Sequence, residues 1–494
     1  MKVLVVGGGG REHALCWKFA QSPLKPELIC APGNPGTAKL ARNVPVQATD
    51  IAALVDLAKR EKPDLVVVGP EDPLVAGLAD KLRAFGIAVF GPGAKGARLE
   101  GSKVFAKELL ERHRIPCAQD RVFDRSGTAK SYLENCTQWP QVIKADGLAA
   151  GKGVVICHDP KSACQAVDMI MEKKALGNAG AKIVVEEFLT GEEASVLAIT
   201  DGETILILEP VQDHKQVGDG DTGPNTGGMG VYSPVASLNR RIQRQIEQHV
   251  LVPTLHALRH EEIEFRGMLF VGLMMTEGGP RVLEYNVRFG DPECQALVRR
   301  MKSDLLPILL AAAQGELSKI EPPDWDERVC VGVIAAADGY PGTVRKGDPI
   351  EGIEAAEGIP DVVVFQAGTS ASKGGQVQTS GGRVLCVSAL GKDVAAAREQ
   401  AYAGYEKIKY AGKFCRHDIG VRNQQKTAES VEERGFRRPA RDPRVAEAMR
   451  ERIERRIRSA EKEREKGKDK PKGKPVEPPD EGGTPPPEQA EGET

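Results

Sequence analysis

The sequence predicts a multidomain protein of the α/β and α+β classes: an N-terminal parallel-sheet domain, a two-part central domain, a small C-terminal mixed α/β domain and a disordered tail. Three observations predict this. Strand-like apolar runs alternate with helix-like spacing over residues 1–101, the pattern of a parallel sheet covered on both faces. Residues 121–192 instead group strands around Gly-rich turns, as in a small α+β unit. A fresh series of short strands starts at 328. The 494 residues are enough for about three or four domains.

Taken in order, KVLVVG is a buried strand running into glycines, and REHALCWKFAQ has helical spacing. ELICAPG, DLVVVGPED and IAVFGPG are further strands, separated by helices at DIAALVDLAKRE and DPLVAGLADKLRAFG. SKVFAKELLERHRIPCAQD, 102–120, reads as one helix ending before Pro116. QVIKAD, GVVICH and KIVVEEFL are strands, with an amphipathic helix at KSACQAVDMIMEKKAL. From 193 to 325, strands at EASVLAITDG, ETILILEPV, GMLFVGLMMTEGG and PRVLEYNV are joined by helices at RRIQRQIEQHVLVPTLHALRH and PECQALVRRMKSDLLPILLAAAQG. RVCVGVIAAA, VVVFQAGT and GRVLCVSAL, then helix VAAAREQAYAGYEKIK, form a separate small domain. The predicted domains are therefore 1–102, 103–325 (divided into 121–192 and 193–325) and 326–424. The tail, 425–494, is highly charged; from Pro475 it holds six prolines and six acids without a basic residue, a disordered composition.

Composition excludes several classes. The net charge of −2 argues against a general nucleic-acid binder. The ten cysteines show no CxxC pair and no zinc spacing, so a reduced, cytoplasmic setting is expected. No apolar run approaches the ~18–20 residues that span a bilayer, and MKVLVVGGGG has too short an apolar stretch for a signal peptide.

Several motifs point to phosphate and amino-acid chemistry. VVGGGGREHAL puts glycines between a strand and a helix, where backbone N–H groups suit a phosphate or substrate; a tight turn is the plainer reading. It is a poor dinucleotide fingerprint: the third glycine is missing and strand two ends in Ala31-Pro32-Gly33 without a ribose-binding acid. PGNPG (32–36) and GPEDPL (69–74) follow strands that end at the same sheet edge. KADGLAAGKG fails as a P-loop, because three residues rather than four separate Gly147 from Gly151 and Lys152 precedes Gly153 rather than a hydroxyl. A strand-like run follows it, so it reads as a flexible hairpin carrying Lys152, with Lys144 in the strand before. In LEYNVRFGDPE the period of two puts Glu284, Asn286 and Arg288 on one face, a donor set that suits Mg²⁺ beside phosphates, and Glu277 is a further candidate ligand. EPVQDHKQVGDGDTGPNTGGMG, with six glycines between 218 and 230, reads as a long irregular functional loop led by Asp213, His214 and Lys215. A charged amine-and-carboxylate substrate needs partners of both signs, which this loop and Arg288 offer.

Together these stretches resemble the ATP-grasp superfamily and, within it, the phosphoribosylamine–glycine ligase family. GGGGREHAL, PGNPGTA, VVVGPEDPLVAGLAD, LEGSKVFAK, KADGLAAGKGV, VVEEFLTGEEAS, QDHKQVGDGDTGPNTGGMGVYSP, LEYNVRFGDPECQ and FCRHDIG carry the likeness over roughly 1–424. It implies an ATP-dependent ligase that joins glycine to 5-phosphoribosylamine through glycyl phosphate, in purine biosynthesis. It implies a pre-ATP-grasp N-terminal domain, an ATP-grasp domain with a mobile ATP lid at 121–192, and Mg²⁺ or Mn²⁺ as the metal. Lys103, Lys144, Gly151, Lys152 and Gly153 look like the phosphate side. Glu186, Glu187 and Leu189 look like the adenine edge, and Glu193 the ribose acceptor. Glu284 and Asn286, with Glu277, look like metal ligands. Asp213 and Arg288 match the glycine site; Gly8, Gly9, Gly10, Asn34 and Glu71 line the phosphoribosylamine site, with Lys215 near its phosphate. The expected partners are glycine, 5-phosphoribosylamine and ATP, with no nucleic acid or membrane, and the protein is expected to be a monomer. Cys117 departs from the family's usual threonine, and the tail has no counterpart there.

Overall fold

The computed structural model describes residues 1–149 and 153–423, so Gly151, Lys152 and the charged tail lie outside the described residues. Five parallel strands form the N-terminal sheet in the spatial order Arg42–Asn43, Glu27–Pro32, Lys2–Gly7, Leu65–Val68, Val89–Phe90. Val3 to Val6 and Leu65 to Val68 are buried throughout, as a sheet covered on both faces requires. The order reverses between Lys2–Gly7 and Leu65–Val68. A crevice opens at such a switch point, and it brings the glycine turn after the first strand beside the turn at Gly69–Glu71.

The central part holds two antiparallel sheets. In one, Asp120–Phe123, Ile183–Glu187, Gln141–Ala145 and Val154–Cys157 lie side by side, backed by helices Ser126–Glu134 and Pro160–Val167. The glycine-rich connection after Ala145 thus joins two antiparallel strands, Lys144 pairing with Val154. The apolar core of this unit is drawn only from its own residues, from Ala129 to Val185. The other sheet orders Ile205–Ile207, Glu192–Thr200, Gly267–Thr276 and Gly279–Asn286. Its core runs on into both the N-terminal and the C-terminal sheets, with Leu197, Phe270, Val5 and Cys386 in one cluster.

The C-terminal sheet contains Val362–Gln366, Arg383–Gly391 and Val329–Ala336, covered by helix Val394–Lys407. It also takes in Gln212–Asp213, from within the stretch expected to be an irregular loop, and Gly230–Ser233, which starts at that stretch's last residue. Residues Gln216–Gly218 and Thr222–Asn225 form a further hairpin. Gly220, Gly227 and Gly228 lie in turns between these short strands and Gly218, Gly223 and Gly230 within them, and buried Arg416 fixes the hairpin by binding Gln216 O and Asp221.

Other departures are local. The helix expected over 72–86 breaks at Gly77, whose φ of +79° ends Glu71–Val75 before Leu78–Arg83 begins. The helix expected from 102 starts at Lys103, capped by Ser102, but ends at Arg112; Arg114 has φ +54° and no side-chain cap overrides it. The segment 292–315 is two helices, Glu293–Arg300 and Leu305–Gln314, the second capped by Asp304. Strand Asp120–Phe123 and helix Ser126–Glu134 carry too little apolar periodicity to be anticipated: Arg121 and Val122 are exposed. All ten cysteines are free thiols.

Candidate active site

The cleft between these units has a lysine end and an arginine end. At the lysine end, Lys103 opens helix Lys103–Arg112. Its turn is held by Asp146, which accepts from Ser102 Oγ at 2.8 Å and from the Val104 N–H at 2.9 Å. Lys103 Nζ lies 3.4 Å from Glu284 Oε2, and Lys215 Nζ 3.7 Å from Glu284 Oε1 and 3.8 Å from Glu193 Oε2. Burial alone would raise the Glu284 carboxyl, but Lys103, Lys215 and Lys144 more than reverse this and hold it well below the usual range. Asn286 is on the same strand face, its Oδ1 accepting from Arg288 Nη2 at 3.3 Å.

Lys144, buried in its strand, donates to Glu186 Oε2 at 2.8 Å and to Leu283 O at 3.1 Å. Burial depresses its ammonium, and Glu186 offsets only part of this. Glu186 is gripped from the other side by Lys107, 3.4 Å from Oε1. Glu187 accepts from Arg281 at 2.8 Å and from the Gln119 N–H at 2.9 Å, so its carboxylate is engaged with protein. Leu189 is buried beside them. Gly153 opens the second hairpin strand, its carbonyl accepting from the Ala145 N–H at 2.8 Å.

At the arginine end, Arg288 reaches Glu71 Oε2 at 3.1 Å and Glu100 Oε1 at 2.8 Å. Burial would lower its guanidinium, but Glu100, Glu71 and Glu293 hold it firmly charged. Burial pushes the Glu100 carboxyl up to about 7 even against Arg288. Burial and Asp213 push Glu293 up to about 8, and burial raises Asp213. Asp213 stands on the strand beside Lys215, paired with Val231.

Glu12 fills the glycine turn. Its Oε2 accepts from the Gly9 N–H at 2.6 Å, and a Cβ on Gly69 would lie 1.9 Å from Oε1. Gly7 and Gly69 therefore make room for this carboxylate, which takes the helix-end donor that a phosphate was expected to use. Gly8 packs on Gly33 O, and Gly9 and Gly10 face the Asp291 carboxylate, 3.6 and 3.7 Å from where a Cβ would be. Asn34 is buried, donating to Gly8 O at 2.9 Å and Gln366 O at 2.8 Å and accepting from the Gly36 and Thr37 N–H groups. It braces the glycine turn from behind.

The expected residues thus fall into two groups, with two corrections. Glu277 is exposed in the turn between Gly267–Thr276 and Gly279–Asn286; at about 3.3 Å per residue it is roughly 15–20 Å along the strand from Glu284, too far to share an ion. Lys215 pairs with Glu193 and Glu284 rather than with any residue of the glycine turn. His214 is buried and burial lowers it to about 3; its Nε2 accepts from the Gly420 N–H at 3.4 Å, so it is a neutral structural group. The sequence reading missed Lys107, Glu100, Glu293, Glu12 and Arg383. Only Lys107 had a signal: it is one helical turn from Lys103.

Among the described residues no group of three or more His, Cys, Asp or Glu could hold a metal by itself. The oxygens of Glu284 and Asn286 nevertheless fit a hard divalent ion that keeps its other ligands from phosphate and water.

The chain matches the family models for phosphoribosylglycinamide synthetase over residues 1–100 (N domain), 101–294 (ATP-grasp domain) and 330–422 (C domain). It is 48% identical over 422 residues to the phosphoribosylamine–glycine ligase of Rhodopirellula baltica, covering 84% of this chain and 96% of that one. It is 50% identical over 426 residues to that of Caulobacter vibrioides, covering 86% and 99%. Among solved structures, the Thermotoga maritima phosphoribosylamine–glycine ligase superposes with a TM-score of 0.75 at 33% identity, covering 85% of this chain and all of that one. The biotin carboxylase domain of the Hydrogenobacter thermophilus 2-oxoglutarate carboxylase, at 16% identity and a TM-score of 0.66 over 85% and 92% of the chains, shares the fold.

Proposed function

This chain belongs to the phosphoribosylglycinamide synthetase family, and from that premise we propose how its cleft divides the labour of the reaction. It is an ATP-dependent carboxylate–amine ligase, which joins glycine to 5-phosphoribosylamine in purine biosynthesis and yields glycinamide ribonucleotide, ADP and phosphate. The observation that carries the residue roles is the sharing of the Glu284 carboxylate by Lys103 and Lys215, beside Asn286.

A carboxylate is a poor acceptor for an amine, and phosphorylation supplies the missing leaving group. Glycine's carboxylate attacks the γ-phosphorus, giving ADP and glycyl phosphate; the phosphoribosylamine nitrogen then attacks the acyl carbon, phosphate leaves with the electron pair of the broken C–O bond, and the nitrogen releases a proton to solvent or to the departing phosphate. Lys103 and Lys144 hold the phosphates, Lys215 neutralises the charge in transfer, and Glu193 accepts from the ribose hydroxyls. The backbone from Glu186 to Leu189 meets the adenine edge. Glu284 and Asn286 would hold Mg²⁺ or Mn²⁺, which would supply charge screening between nucleotide and nucleophile. Arg288 pairs with glycine's carboxylate and Asp213 with its ammonium. Gly8 to Gly10 and Glu71 line the phosphoribosylamine side. No helix among the described residues is long and apolar enough to cross a membrane. We propose a cytoplasmic monomer.

The test is coupled ADP release with glycine and phosphoribosylamine omitted in turn. ADP should form at full rate only with both; release with another amino acid and none with glycine would overturn the reading.

A further inference from the structure

We propose that Arg383, on the C-terminal sheet, is a positioning residue that sets Asp213 and the Asp291 turn in the geometry the amine-side chemistry needs. Arg383 opens strand Arg383–Gly391 and reaches away from the sheet into two separate segments. Its Nη1 donates to Asp291 O at 2.6 Å, to Gly228 O at 3.4 Å and to Gly227 O, and its Nη2 lies 3.1 Å from Asp291 Oδ2. The Gly227 N–H donates to Tyr340 Oη at 3.0 Å, so this one peptide is held at both its carbonyl and its N–H by the C-terminal part of the chain.

Gly228 transmits the hold. Its φ is +110°, and a Cβ there would lie 2.6 Å from Pro292 Cδ and 3.5 Å from both Arg383 Nη1 and Asp213 Oδ2. The bare backbone of Gly228 is thus wedged between the guanidinium, the Asp291-Pro292 turn and the Asp213 carboxylate. From there the chain enters Gly230–Ser233, the strand that pairs with Asp213. Asp291, the other segment held, lies between Arg288 and Glu293 and faces Gly9 and Gly10. One side chain therefore locks both walls of the arginine end.

The task demands an arginine. Three carbonyls and a carboxylate surround a planar fork with five donors, whereas an ammonium has three donors and no fixed plane. The apolar core of the C-terminal sheet is supplied by the next four residues, Val384, Leu385, Cys386 and Val387, all fully buried, while the Arg383 side chain keeps 19% exposure.

The inference rests on the proposed pairing of Asp213 with glycine, and the experiment separates the two. Steady-state kinetics of the full chain are measured for R383M, R383K, Y340F and D213N, with thermal unfolding alongside. R383M should lose about 100-fold in kcat/KM for glycine, the scale of a displacement near 1 Å at reacting groups, while KM for ATP stays within about twofold. R383K should remain at least about tenfold impaired, and added guanidinium ion should restore part of the R383M loss. Unchanged glycine parameters, or a parallel fall in every parameter that tracks the folded fraction and ignores guanidinium, would overturn the proposal. If R383M does not fold, Y340F decides: losing one hydrogen bond to Gly227 should raise KM for glycine about threefold, and no rise overturns it. Should D213N leave KM for glycine unchanged, the glycine reading itself fails; a D213N effect with none in R383M overturns the Arg383 proposal alone.

Discussion

The two ends of the cleft solve opposite problems with the same charges. At the lysine end, ammonium groups stand 3.4 to 3.8 Å from Glu284 and Glu193, and Lys103, Lys215 and Glu284 are each partly open to solvent. At the arginine end, Arg288 is clamped between Glu71 and Glu100 at 3.1 and 2.8 Å and is nearly buried. A lysine is a point charge on a flexible stem and can be handed from a carboxylate to a phosphate. A guanidinium clamped between buried Glu100 and half-buried Glu71 is a frame, and moving it strands the Glu100 charge in a poorly solvated site. On the proposed roles, the lysine end is the one free to trade a carboxylate for phosphate, and the arginine end presents a fixed charge to glycine.

Breaking the lysine end should cost most. Glu284→Ala should lower turnover by at least about 1,000-fold and remove divalent-ion binding, measured by Mn²⁺ titration as well as by ADP release. Retained ion binding would show that the lysines serve a carboxylate with another job. Breaking the frame comes next. Arg288→Lys keeps the charge but not the fork, and should lose about 100-fold in kcat/KM for glycine with little change in KM for ATP. An equal loss on both substrates would mean that the two ends are not separable.

A smaller effect sharpens the contrast through pH. Glu100 has its carboxyl raised to about 7 in the folded protein, from an ordinary value near 4.5. Between those values the folded state binds more protons than the unfolded state, so this group makes stability fall as pH rises through about 4.5 to 7. Glu100→Gln should flatten that part of the stability profile, followed by denaturant midpoint against pH, and an unchanged slope would show that Glu100 stays ionised beside Arg288. The smallest effect is a control. Glu277→Ala should change Mn²⁺ affinity by less than about twofold, since the turn that carries it lies far from Glu284.

Legibility in the sequence followed the range of the physical signal. Alternation of strand and helix was enough for the N-terminal sheet, because each buried strand is a continuous apolar run. A period of two was enough to bring Glu284 and Asn286 onto one face; Arg288 lies just past the strand end and reaches Asn286 through its side chain. The same kind of reading misjudged the stretch from 209 to 230, where glycines masked strands only two to four residues long that are stabilised by a sheet built mostly a hundred residues later. For the N-terminal glycines the sequence left a phosphate or substrate loop beside a tight turn, and the structure adds that Gly7 and Gly69 are bare because Glu12 lies against both.

By itself the sequence determined the succession of α/β and α+β units, the strand face that Glu284 and Asn286 share, and the family. These rest on periodicity within one strand or helix, or on long motifs. Only the tertiary structure decided the partners: Lys103 with Glu284 across 181 positions, the Val287 N–H with Glu100 across 187, and Arg383 with Asp291 across 92. The physical reason is that a buried charge must find a counter-charge wherever the chain happens to cross. Spacing along the sequence carries no record of which distant segment will arrive there.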